Sequence, residues 1–197
     1  MVLRIGGQWL DRRVLARTYP RASEPGVEYV VESTTRLQAF IAAREGPESE
    51  FKVQIPAPGA DEEILRSMKS VAAFTNGTGG VILYGVNNKE EVVGIENRDL
   101  DRIKSRLTSL AGEWVNPRPG VTFEEFEVDG RPDLVVLGMS VAMGNEVPYG
   151  AGKPGQTQLV YLRNYSQSVP ARPHEIRAIV QSRLPADGGG PFGKMFQ

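Results

Sequence analysis

Apolar positions along the chain change their spacing several times, and each change marks an element. In "TTRLQAFIAARE", Leu37, Phe40 and Ile41 recur at helical spacing behind Ser33 or Thr34 as a cap, and Pro47 ends the run. "SEFKVQIP" then alternates Phe51, Val53 and Ile55 against Lys52 and Gln54, the pattern of a half-buried strand. The clearest helix is "DEEILRSMKSVAAFTN". Asp61, Glu62 and Glu63 sit at its positive end, and Ile64, Met68, Val71 and Phe74 form the buried stripe. "GTGG" stops it, and "VILYGV" is a continuous apolar strand of the kind buried on both faces.

"NNKEE" reads as a hairpin turn into "VVGIE", and an amphipathic helix follows over roughly Leu100–Gly112. Three β-rich runs come next, at Val121–Val128, Leu134–Val141 and Gln156–Arg163. "RPHEIRAIVQSRL" predicts a last helix with Ile176, Ile179, Val180 and Leu184 inward. The order β-α-β-β-α-β-β-β-α is α+β, a mixed sheet with helices and no regular βαβ alternation. Residues 1–32 are rich in Arg, Gly and Pro with one β-like run, "VEYVVES". With the short helix, residues 1–44 read as a basic N-terminal arm, residues 45–185 as the folded domain, and residues 186–197 as a mobile tail.

The 197 residues are 40% hydrophobic and 24% charged, as in an ordinary soluble protein with room for a real core. The net charge of −1 hides an uneven distribution. Met1–Arg21 carries five arginines against Asp11, and Gly150–Pro185 carries four arginines and Lys153 against Glu175. The acids collect in Glu45–Glu63 and Glu124–Asp133. A neutral total therefore leaves room for a basic face, which a polyanion partner needs. With no cysteine, disulfides and thiolate zinc sites are excluded, and His174, the one histidine, supplies no histidine-rich site. A metal here is a hard cation held by oxygen, Mg²⁺ or Mn²⁺. No apolar run reaches bilayer length, and arginines interrupt the first twenty residues, so the expected compartment is the cytoplasm, without a membrane partner. Asn76-Gly-Thr and Asn164-Tyr-Ser fit the glycosylation pattern only by chance on that reading.

"AFTNGTGGVILYGV" invites comparison with a phosphate-binding loop. Such a loop needs strand, loop, then helix, with a Lys-Ser/Thr pair; here the order is helix, loop, strand, and Val81 follows Gly80. ATP binding is not supported. The glycines instead predict a left-handed helix terminator at Gly77 and a tight reversal at Gly79–Gly80.

Taken in order, "EGPESEFK", "AFTNGTGGVILYGVNN", "VVGIE", "PY" and "VYLRNYSQS" with "PHEI" resemble the Schlafen-type divergent Alba domain. That domain occurs in the Schlafen core and in many bacterial proteins labelled transcriptional regulators. The resemblance runs from about Glu45 to Leu184 and implies a mixed α/β nucleic-acid-binding module. In nuclease-active Schlafen members, a glutamate, a second one five residues on in the E-F-K motif, and an aspartate in a Gly-Val-x-Asp turn form the catalytic set. These fall on Glu45, Glu50 and Asn88. The third position is an amide without charge, so the set is degenerate and metal affinity falls. Glu45 and Glu50 then either hold a metal or pair with Arg44, Lys52 or an arginine of the last helix.

The resemblance also points to Lys52 and Arg163 as phosphate contacts, with Asn164, Tyr165, Ser166 and Gln167 in the turn beyond and Arg172 and Arg177 extending the basic face. The competing reading of Arg163 is a pair with Glu50. Trp114 is read as core or lid. The expected function is a nucleic-acid-binding module for DNA or RNA, mainly through phosphates, acting as a regulator or recruiting subunit and needing no cofactor. A homodimer or larger assembly would widen its groove. The alternatives are an Mg²⁺- or Mn²⁺-dependent RNase using Glu45 and Glu50, and a protein-interaction module; on the missing third acid, the reading leans against an enzyme.

Overall fold

The computed structural model describes residues 2–5, 8–11, 27–30 and 33–183. The chain divides into two units, Met1–Ala43 and Arg44–Gln197. In the first, β1 (Val2–Ile5) pairs antiparallel with both β2 (Gln8–Asp11) and β3 (Val27–Val30), giving the order β2-β1-β3, and α1 (Ser33–Ala43) follows. The stretch read as an arm thus contains two strands beyond the single β-like run. The tail 186–197 lies outside the described residues.

The second unit opens with β4 (Ser49–Lys52), α2 (Asp61–Asn76) and β5 (Gly80–Tyr84). Next come β6 (Ile95–Glu96), α3 (Leu100–Trp114) and β7 (Val115–Asn116), then β8 (Val121–Glu127) and β9 (Leu134–Val141). It closes with β10 (Gly150–Ala151), β11 (Leu159–Asn164), β12 (Gln167–Pro170) and α4 (Pro173–Arg183). One mixed sheet runs β4-β5-β9-β6, with β8 also paired to β9; β4 and β5 are its parallel pair. The other sheet is antiparallel, in the order β12-β11-β10-β7. The chain is α+β.

Helix α2 joins the sheets. Ile64, Met68, Val71 and Phe74 face Ile82 and Tyr84 of β5, the odd-numbered residues of β9, and Val115, Ala151 and Tyr161 of the second sheet, all in one core. Full burial of each such large side chain contributes on the order of 1.5–3 kcal/mol. Trp114 ends α3 and is 5% exposed, part of this core. Asn76, the last residue of α2, is 2% exposed and serves both neighbours: Nδ2 donates to the Tyr149 and Tyr161 carbonyls at 2.8 and 2.9 Å, and Oδ1 accepts from the Tyr149 amide at 2.7 Å. Burial leaves it no access for glycosylation.

The glycine loop differs from the sequence expectation in one respect. Gly77 closes α2 by donating to the Ala73 and Phe74 carbonyls, but its φ is −94°, so it is not the left-handed residue. That role falls to Gly79, at φ +88°, where an added Cβ would lie 2.8 Å from the Val141 carbonyl oxygen. The reversal brings β5 against β9 too closely for a side chain. Strand β4 also ends earlier than its alternation predicts. Gly85, at φ +99°, and Val86 both donate to the Lys52 carbonyl, and the chain then turns away. Val53 is left half exposed.

Candidate functional site

β4 is an edge strand, and its outer rim must be satisfied without a neighbouring strand. Three devices do this. Gly46 and Ser49 bridge each other through their backbones. The Glu45 carboxylate accepts the Phe51 amide at 2.8 Å. Arg163, reaching from β11, donates Nη2 to the Gly46 and Ser49 carbonyls at 2.7 and 3.0 Å. Glu45 therefore acts in this structure as a cap on backbone.

Glu50 sits on the face of β4 that looks toward α2, and it is only 9% exposed. Both carboxylate oxygens are taken: Oε1 by Lys52 Nζ at 2.5 Å and Oε2 by Arg163 Nη1 at 2.7 Å. Arg163 also reaches Ser168 Oγ at 3.1 Å and stacks over the Phe74 ring, its guanidinium carbon 4.8 Å from the centroid. Ser168 Oγ lies 3.4 Å from Ser70 Oγ of α2. This chain of contacts ties the edge of one sheet to the edge strand β12 of the other. Glu50 is thereby held between two cations.

Asn88 takes no part in the bonds of that cluster, although it shares a cleft with Lys52. The turn around it is held by Asn87, whose Oδ1 accepts the Lys89 and Glu91 amides and whose Nδ2 donates to Glu91. Asn88 is exposed and lines a cleft of about 440 Å³ with Lys52, Gln54, Arg66 and Ser67. The nuclease-active arrangement asks for a metal ion on Glu45, Glu50 and the third position. The residues present do not fit one: a cation on Glu50 would have to displace Lys52 and Arg163, and the third residue is an amide facing the cleft. Among the described residues no group of three or more His, Cys, Asp or Glu side chains is placed to hold a metal.

The other residues predicted as contacts fall on the β11–β12 hairpin and α4. Asn164 pairs with Gln167, leaving Tyr165 and Ser166 as the turn. Tyr165 is 71% exposed and held at φ +56°, a backbone conformation that costs a bulky side chain about 1 kcal/mol or more. Arg172 and Arg177 are exposed, and the Arg172 amide donates to Glu175 at the start of α4. Arg163, by contrast, is 6% exposed at its side chain and bonded inward, so in this structure it positions β4 and offers no free guanidinium to a phosphate. Arg66 was not predicted. Its signal was its place on α2, off the Ile64–Met68–Val71 stripe.

Beside Ser67 lies a second polar group. The Tyr84 hydroxyl is fully buried beneath α2 without a partner in proper hydrogen-bonding geometry; burial pushes its pKa up to about 12, against the opposing pull of Ser67.

The family model for Schlafen, AlbA_2 matches residues 45–172, well over half of the chain. The chain belongs to this family. No curated protein matches. Among solved structures, the DIP2311 protein from Corynebacterium diphtheriae is similar at 16% identity and a TM-score of 0.51, over 77% of this chain and 28% of that one. This chain thus spans under a third of that protein's length, and the likeness is one of fold. The N-terminal domain of a RecG-related protein from Nitrosomonas europaea is similar at 22% identity and a TM-score of 0.45, over 65% of this chain and 87% of that domain.

Proposed function

We propose that this Schlafen AlbA_2 chain is a nucleic-acid-binding module that grips phosphates and stacks on bases, with little preference for sequence. Tyr165 carries the reading. A chain that exposes a phenol ring at a hairpin tip, in a left-handed conformation that glycine would occupy freely, loses stability twice without a packing return. An exposed ring beside Asn164 and Ser166, with Arg172 at the start of the following helix, suits stacking on a base while donors hold the backbone. The Glu45–Glu50 pair then serves the architecture, and the module acts as a regulator or recruiting subunit in the cytoplasm, where a chain without cysteines needs no oxidising compartment. Among the described residues no helix is long and apolar enough to cross a membrane.

Titration of the full chain into labelled tRNA and labelled DNA duplex, followed by fluorescence anisotropy, tests this. Binding is expected to weaken about tenfold in Tyr165→Ala, the loss of one stacked base, with the circular dichroism spectrum unchanged. Absence of binding to both probes, or equal affinity in the variant, contradicts it.

A further inference from the structure

The cleft at the end of β4 has no role in packing, and its walls differ in chemistry. Val53, half exposed because β4 ends at Lys52, and Pro56 supply an apolar side. Gln54 and Asn88 bring two amides, and Asn88 is not needed for its own turn, which Asn87 holds. Lys52, which shares the Glu50 carboxylate with Arg163, and Arg66 bring positive charge, and Glu63 is the acid among the lining residues. Lys52 Nζ has further donors free after its bond to Glu50. The volume, about 440 Å³, lies in the small-ligand range and is far too small for a double helix.

Two cationic side chains, each partly offset by a nearby acid, match one phosphodiester and fall short of a triphosphate. Two amides beside an apolar wall match the edge and face of one base, since amide side chains offer the paired donor and acceptor that base edges require. We propose that this cleft receives a single unstacked nucleotide of a bound nucleic acid, with its phosphate on Lys52 and Arg66 and its base against Val53, Gln54 and Asn88. The inference rests on the nucleic-acid reading above and sharpens it: the preferred substrate has an unpaired position, because a continuous duplex must first break stacking and pairing to fill the cleft.

The test uses the full chain and two labelled duplexes of one sequence, in RNA and in DNA, one of them carrying a single bulged 2-aminopurine nucleotide. The bulged duplex is expected to bind about tenfold more tightly, because its base is already free of the stack, and the 2-aminopurine emission to change on binding. Asn88→Leu, an exposed substitution, is expected to bring the bulged duplex to the affinity of the continuous one. Arg66→Ala is expected to do the same and to lower the salt slope by about one. Equal affinity for the two duplexes, or a bulge preference that survives both substitutions, overturns this proposal and leaves nucleic-acid binding standing. Failure to bind either duplex removes both readings.

Discussion

The Arg163 guanidinium holds the Glu50 carboxylate at 2.7 Å across 113 residues of sequence, and the same side chain bonds two carbonyls of the β4 rim. Removing the arginine leaves a buried acid with Lys52 alone and takes a charged donor from two rim carbonyls that keep only their backbone bridge. Arg163→Met is therefore expected to destabilise the fold by about 3 to 5 kcal/mol. Urea unfolding of the single variants and of Arg163→Met with Glu50→Gln gives the coupling; additive losses would show that the pair is not a unit.

Asn76 poses a similar question without charge. Its amide satisfies three buried backbone groups, two at Tyr149 just before β10 and one at Tyr161 of β11. Asn76→Ala orphans all of them, with an expected loss of about 3 kcal/mol or more. A midpoint in urea within error of the parent chain would contradict the role assigned here.

Tyr165 is expected to separate stability from binding. Tyr165→Gly relieves the left-handed strain, and the thermal midpoint should rise or hold, a gain of about 0.5 to 1 kcal/mol, while nucleic-acid affinity falls. A variant that loses stability along with binding would make the ring a packing residue.

The buried Tyr84 phenol sets a pH window. Its folded pKa, about 12, lies above the ordinary 10.0, so the folded state keeps its proton where the unfolded state releases it. Its contribution is fully present below pH 10.0 and is lost as pH rises towards about 12. Tyr84→Phe should lose less stability across that interval than the parent, and should differ from it by no more than about 1 kcal/mol at neutral pH. Parallel stability curves for the two chains would remove the linkage.

Periodicity made the large elements legible. Helix α2 and strands β5 and β9 have long runs with one spacing, and their ends agree with the structure to within a residue or so. β7 and β10 have two residues each, too few to show any period, and they exist because they pair with one another and with β11. The roles of Gly77 and Gly79 were exchanged because spacing alone does not show which glycine meets the Val141 carbonyl. At the site, the motif order located Glu45, Glu50, Asn88 and the β11–β12 turn. It offered the Glu50–Arg163 pair as one of two readings without deciding between them, since that bond joins two distant strands, and it did not show that Arg66 and Asn88 share a cleft.

Salt dependence of nucleic-acid affinity tests the account most directly. The logarithm of the binding constant for tRNA or duplex should fall steeply and linearly with the logarithm of salt concentration, and the parent chain and Glu50→Gln alike, at a salt where the variant remains folded, should leave the probe uncleaved whether or not Mg²⁺ or Mn²⁺ is added. Binding that is absent or indifferent to salt, or metal-dependent cleavage by the parent that Glu50→Gln abolishes, would contradict it.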